Sequence, residues 1–294
     1  MKIRQQRHPR WLKVPLPAGE KFNEVRKLLK THKLNTVCQS AHCPNIGECW
    51  GHRTATFMIL GNVCTRNCRF CAVDSKQPSP VDLNEAKRVA EAVKTLSLRY
   101  AVITSVTRDD LMDGGASIFA DTIYEIRKAN GDCKVEVLIP DLNGSDGALS
   151  IAFNAKPDIL NHNIETVPSL YKQVRPQANY QRSLDVLKKA KKFGLITKSG
   201  LMLGLGETSA QVIEVMKDLR KVACDFLTLG QYLQPSSNHL PIDRYVTPEE
   251  FTQLKEKGLS MDFKHVEAGP LVRSSYHAAV GFDNFLNKNE LDRE

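Results

Sequence analysis

Apolar positions along this chain follow two alternating periods. From Thr54 onward, short strand-like runs are each followed by a longer segment in which apolar residues return every three or four positions. Residues 54–60 (TATFMIL) read as a strand. Residues 84–98 set Ala86, Val89, Ala90, Val93 and Leu96 on one helical face, behind Asn84 as the expected N-cap. The pattern then repeats: strand 100–106 and helix 116–129, strand 134–140 and helix 146–155, strand 159–164 and helix 182–193. Strand 196–205 and helix 209–222 follow, then strand 226–233 and helix 247–259. Strands that alternate with helices imply a parallel sheet. The 180 residues from Thr54 to Leu233 hold about six units at the ~31 residues per unit of a complete eight-unit barrel. The expected fold is therefore α/β: an open, partial (β/α)6 TIM-type barrel over 54–260, flanked by accessory segments 1–53 and 261–294. Periodicity does not show whether the sheet curls, so a doubly wound sheet stays open as the alternative. In a barrel of this kind the chemistry sits at the C-terminal ends of the strands.

Composition changes this picture little. Of 294 residues, 41% are hydrophobic and 25% charged, as in ordinary globular chains. No stretch approaches the ~18 apolar residues of a membrane span, and a soluble, cytoplasmic protein with no membrane partner is expected. The formal net charge is +8, which suits an acidic partner without naming one. Lys2, Arg4, Arg7, Arg10 and Lys13 all precede the first acidic residue, Glu20. Pro9, Pro15 and Pro17 break the amphipathic helix of a transit peptide, so this reads as a solvated basic arm.

Cysteine spacing changes it greatly. Six of the eight cysteines fall between 38 and 71 in two triplets, Cys38, Cys43, Cys49 and Cys64, Cys68, Cys71. Disulfides are disfavoured in a chain with no secretory signal and a large core. Structural zinc would need His42 or His52 to complete each set of four ligands. Iron–sulfur chemistry explains the number directly: three thiolates leave one iron of a [4Fe–4S] cluster open to a ligand. Cys133 and Cys224 adjoin predicted strands and read as small buried hydrophobes.

Polar residues cluster where strands end. Asp113-Gly114-Gly115 opens a helix, as a glycine-permitted turn or a close backbone approach to a ligand. Strand alternation turns Asn161, Asn163 and Glu165 to one face and His162 and Ile164 to the other. Three such side chains fit a polar lumen or ligand site better than a dry core. Arg175 offers a fork for a carboxylate. Gly204 and Gly206 make a tight turn after the fifth strand, read as facing a cofactor. Arg273-Ser274-Ser275-Tyr276 reads locally as a helix N-cap before a short helix over 276–280.

The Cys64-Thr65-Arg66-Asn67-Cys68-Arg69-Phe70-Cys71 loop, with its aromatic residue before the last cysteine, resembles the radical S-adenosylmethionine (SAM) superfamily. Together with the first triplet and the Arg-Ser-Ser-Tyr run, over about residues 34–278, it resembles the lipoyl synthase family. The resemblance implies two [4Fe–4S] clusters and SAM. Cys64, Cys68 and Cys71 would hold the SAM cluster, whose reduction of SAM yields a 5′-deoxyadenosyl radical. Cys38, Cys43 and Cys49 would hold an auxiliary cluster that donates sulfur, with Ser275 as its fourth ligand. Gly114, Gly115, Asn163, Glu165, Arg175 and Gly204 become candidates for SAM. The implied reaction inserts sulfur at C6 and C8 of an octanoyl-lysine. The implied partners are octanoylated lipoyl carrier domains (2-oxoacid dehydrogenase E2 subunits and the glycine cleavage H protein) and a ferredoxin or flavodoxin as electron donor. Nucleic acid is not an expected partner. The competing readings are a methylthiotransferase-like enzyme and a zinc-binding nucleic-acid module; the latter requires clustered basic and aromatic residues that the chain lacks.

Overall fold

The structure, a computed structural model, describes residues 8–291, with side chains as far as 287. Lys2, Arg4 and Arg7 of the basic arm lie outside the described residues. Seven parallel strands form the sheet: β1 (Thr56–Ile59), β2 (Tyr100–Ser105), β3 (Lys134–Leu138), β4 (Ile159–Asn161), β5 (Thr197–Leu203), β6 (Phe226–Gln231) and β7 (His265–Gly269). A two-residue strand, Asn35–Thr36, pairs antiparallel with β1 at the edge. Spatial order follows chain order throughout. Every crossover therefore advances in one direction, so the helices stay on one side; a doubly wound sheet would reverse its order midway. Among the described residues no ladder joins the Asn35–Thr36 edge to β7, and the sheet is an open barrel.

Six helices complete six strand–helix units: α1 (Glu85–Thr95), α2 (Ala116–Ala129), α3 (Asp146–Asn154), α4 (Tyr180–Lys192), α5 (Ser209–Lys221) and α6 (Pro248–Leu259). Outward-facing strand residues such as Phe57, Ile103, Val137 and Leu160 are buried with Val89, Phe119, Ile123 and Leu149 of α1–α3. Leu201, Leu203, Leu227 and Leu229 pack likewise with Val212, Met216 and Phe251 of α5 and α6. Local capping fits the sequence: Thr208 and Thr247 make capping boxes with Gln211 and Glu250. Asn84 stands at the N-cap of α1 but its side chain caps nothing. Its own N–H is instead taken by Asp82 at 2.9 Å.

Inside the barrel the layers differ in character. At the bottom, Phe282 of the C-terminal helix (Ala278–Leu291) packs with Tyr100, Ile159 and Phe226. Above that plug lies an ion pair, Lys198 Nζ with Glu136 at 3.0 Å, both buried. Glu136 also accepts from Tyr100 Oη at 2.7 Å and Asn161 Nδ2 at 2.9 Å.

Two sequence expectations require correction. A seventh strand, β7, continues the sheet inside the segment assigned as a C-terminal accessory. The helix expected over 276–280 begins only at Ala278, three residues beyond Ser275. Ser274 and Ser275 reach into the barrel instead.

Candidate functional site

A cavity of about 540 Å³ opens at the C-terminal ends of the strands. Cys38, Cys43, Cys49, Cys64, Cys68, Cys71, Asn163, Glu165, Arg175 and Ser275 all line it. Two triplets that are separate in sequence thus share one enclosure. Gly114, Gly115 and Gly204 are not among its lining residues. A Cβ on Gly115 would run into Leu60, and one on Gly114 would meet Leu142. Gly204 yields its space to the Gln231 amide and the Arg244 carbonyl. Asp113 accepts from the N–H groups of Gly115 and Ser117 at 2.9 and 2.8 Å, so that turn caps α2.

The second triplet sits on a loop fixed from several sides. Arg66, inside the loop, donates to both Asp109 oxygens, to Asp141 Oδ1 at 2.7 Å and to Asn143 at 2.9 Å. Burial alone would raise the Asp141 carboxyl, but Arg66 overrides it and holds the group down at about 2. Arg69 N–H donates to Val174 and its carbonyl accepts from Leu240 N–H. His239 lies 2.9 Å from the Cys71 carbonyl. The Cys64 sulfur accepts from Arg66 N–H at 3.4 Å and from Thr107 N–H at 3.3 Å. Such bonds to sulfur help set a cluster's potential.

The first triplet comes from the N-terminal segment. The short helix Ile46–Gly51 carries Cys49 and buries Trp50 against Phe22, ring centroids 5.1 Å apart. Asn45 Nδ2 donates to the Leu271 carbonyl at 2.7 Å, tying this segment to the C-terminal one. Burial pushes the Cys49 and Cys71 thiols up to about 12, and the other thiols of the same triplet add to each shift. Cys38, Cys43 and Cys68 are likewise raised by burial. These are neutral thiols until a metal displaces the proton.

Between the triplets, β4 ends at Asn161 and the expected alternation ends with it. Glu165 adopts a left-handed backbone with φ 70°. His162 consequently lines the cavity alongside Asn163 and Glu165 rather than facing away. Arg175 Nη1 donates to the Asn163 and Ile164 carbonyls at 3.0 and 3.1 Å. Burial raises the Glu165 carboxyl, opposed by the charge of Arg175 and a hydrogen bond from Asn163. Arg175 also lies near enough to Cys68 to oppose that thiol's shift.

Five buried polar atoms of cavity-lining residues have no hydrogen-bond partner among the described residues: Asn45 Oδ1, Ser105 Oγ, His162 Nε2, Asn163 Oδ1 and Arg175 Nε. Orphaned polar atoms are costly in a dry interior, so they fit a polar ligand such as SAM. The thiol sets fit iron–sulfur clusters by their chemistry.

His162 gives this region a pH signature. Its Nδ1 lies 2.9 Å from the Ile139 carbonyl, and burial, with the nearby charge of Arg175, lowers the ring from 6.5 to about 4. The unfolded chain therefore binds this proton first. The stabilisation is complete above pH 6.5 and is lost between 6.5 and 4, a change of about 3 kcal/mol. Urea unfolding of His162→Gln is expected to show a flatter acid limb than wild type. Identical limbs would refute the assignment.

Arg66, Thr56, His162 and Ser274 are the contacts that sequence reasoning missed. Arg66 at least stood inside the cysteine motif, but its partners lie 43 and 75 residues away.

Comparison with known proteins agrees with this geometry. Residues 58–219 match the model of the radical SAM superfamily, and residues 1–43 match the N-terminal domain of lipoyl synthase of that family. The chain is 59% identical to the lipoyl synthase of Caldanaerobacter subterraneus subsp. tengcongensis, over 94% of this chain and 97% of that one. It is 57% identical to that of Rubrobacter xylanophilus, over 92% and 85%. Among solved structures it resembles the hydrogenase maturase HydG from Carboxydothermus hydrogenoformans, with a TM-score of 0.60 at 16% identity. That match covers 78% of this chain and 56% of HydG. Methylornithine synthase is similar with a TM-score of 0.53 at 13% identity, over 87% and 83%. At such identities these two structures speak to the fold alone. With the full-length relatives and the paired thiol triplets in agreement, the chain belongs to the lipoyl synthase family of radical SAM enzymes.

Proposed function

We propose that this enzyme inserts sulfur at C6 and C8 of an octanoyl group carried on a protein lysine, giving the lipoyl cofactor. The observation that carries the reading is the shared cavity at the C-terminal ends of the strands, which both thiol triplets and Ser275 line. Cys64, Cys68 and Cys71 would hold a [4Fe–4S] cluster with one open iron. That cluster and SAM together supply one-electron cleavage of a C–S bond, and so hydrogen abstraction from carbon that offers no acid–base handle. Cys38, Cys43, Cys49 and Ser275 would hold a second [4Fe–4S] cluster, the sulfur source.

The chain's own residues bind, orient and shield. Arg175 brings a buried cation suited to the SAM carboxylate, while Asn163 and Glu165 offer acceptors for its amino group. Met58, Leu138 and Met202 add apolar walls for an alkyl chain and exclude water. Ser275 supplies a harder ligand than a thiolate and would release its iron more readily. The +8 balance suits an acidic lipoyl carrier domain, whether of a 2-oxoacid dehydrogenase E2 subunit or a glycine cleavage H protein. A ferredoxin or flavodoxin would supply electrons in the cytoplasm. No helix among the described residues is long and apolar enough to cross a membrane. Residues 1–53, 54–260 and 261–294 would divide the work into auxiliary-cluster segment, barrel and serine-bearing segment.

Anaerobically prepared protein is expected to contain about eight irons and eight sulfides and to convert an octanoylated carrier domain to the lipoylated form, read by mass. Zinc without sulfide would overturn the reading. So would a methylthiolated product.

A further inference from the structure

Residues 273–276 cross the mouth of the barrel, and consecutive side chains tie them to strands far apart in the sheet. Ser275 Oγ accepts from Thr56 Oγ1 of β1 at 2.8 Å. Ser274 Oγ accepts from Asn163 Nδ2, just beyond β4, at 2.6 Å. The same amide nitrogen donates to Glu165 Oε1 at 3.1 Å. The seat is cut to shape. A Cβ on Gly230 of β6 would strike the Val272 carbonyl, and one on Gly200 of β5 would lie 3.0 Å from Asn163 Oδ1. A chain of polar contacts thus runs from Ser274 through Asn163 to Glu165, and Glu165 stands beside Arg175 and its neighbour Cys68.

We infer that Ser274 is a positioning residue. Through Asn163 it fixes the segment that bears Ser275 against the SAM-side carboxylate, so that hydrogen abstraction and sulfur delivery meet at the same carbon. Thr56 fixes the other side of the segment, and neither contact requires Ser274 to touch a reacting atom. This rests on the proposed function, which a wild-type assay tests separately. Wild type that makes no lipoyl product removes that reading, whatever Ser274 does.

The test compares Ser274→Ala and Ser274→Thr with wild type in iron and sulfide content, SAM affinity by equilibrium dialysis, and 5′-deoxyadenosine formed per lipoyl product. Ser274→Ala is expected to keep about eight irons and to bind SAM within about twofold of wild type. It should form about tenfold more 5′-deoxyadenosine per product, the order of one lost buried hydrogen bond. Ser274→Thr restores the hydroxyl and should bring the ratio most of the way back. An unchanged ratio overturns the inference, including the case where both products fall in parallel. Iron falling to about four also overturns it, because Ser274 would then serve to retain a cluster. Should alanine disturb folding, Ser274→Val against Ser274→Thr, equal in shape, carries the same comparison.

Discussion

With Cys64, Cys68 and Cys71 all changed to alanine, SAM cleavage is expected to fall at least about a thousandfold while roughly four irons and four sulfides remain. With Cys38, Cys43 and Cys49 changed instead, about four irons again remain, but 5′-deoxyadenosine still forms and no lipoyl product appears. The asymmetry follows from how each triplet is held. The 64–71 loop is anchored to the barrel by Arg66 on Asp109 and Asp141 and by backbone bonds to Val174 and Leu240. The 38–49 triplet is carried by a segment that packs its own Trp50 against Phe22 and is tied to the rest by the Asn35–Thr36 ladder to β1, by Asn45 on the Leu271 carbonyl and by Glu48 on Tyr276. Neither scaffold is built from the other's cysteines. Iron, sulfide and 5′-deoxyadenosine measured on both variants decide the matter. Loss of all eight irons in either would show one interdependent site. SAM cleavage that survives loss of the second triplet would reverse the assignment.

Much of the barrel was legible because its strands and helices bury one face each. Helix 116–129 emerged with the boundaries its apolar spacing gives, and the other helices fell within two residues or so at most ends. What escaped detection was structure made by distant partners. β7 (HVEAG) carries only Val266 and Ala268 as apolar signal, since an edge strand in a curled sheet leaves His265 and Glu267 half-exposed. In the site, the cysteines were legible because their spacing is local, and Asn163, Glu165 and Arg175 because polar residues at a strand end are conspicuous. Gly114, Gly115 and Gly204 look in sequence like cofactor turns, yet their missing side chains make room for Leu142, Leu60 and Gln231. Ser274 and Ser275 had good local reasons to cap a helix. Their contacts with Asn163 and Thr56 span 111 and 219 residues and leave no local trace.

Lys198→Met is expected to cost about 3–5 kcal/mol of folding stability, whereas the double variant Lys198→Met with Glu136→Gln should cost only about 1–2. Neither residue was singled out by the sequence, where Lys198 is one of many lysines. In the barrel its ammonium lies 3.0 Å from a carboxylate with no exposed surface. Removing the lysine strands that charge and leaves Tyr100 and Asn161 to satisfy it. Glutamine is neutral and keeps the volume and an acceptor, so the second change removes most of the penalty. Urea unfolding near neutral pH measures both. A single variant that costs less than ~1 kcal/mol, or a double no milder than the single, would show that water reaches the pair. The layer also matters to the cavity above it. Lys198 stands two residues before Gly200, against which Asn163 lies, and Asn161 stands two before Asn163 itself. The ion pair is thus joined through Asn161, and one alternation along each strand, to the residues proposed to hold SAM. Its rupture should loosen SAM binding even though neither partner lines the cavity.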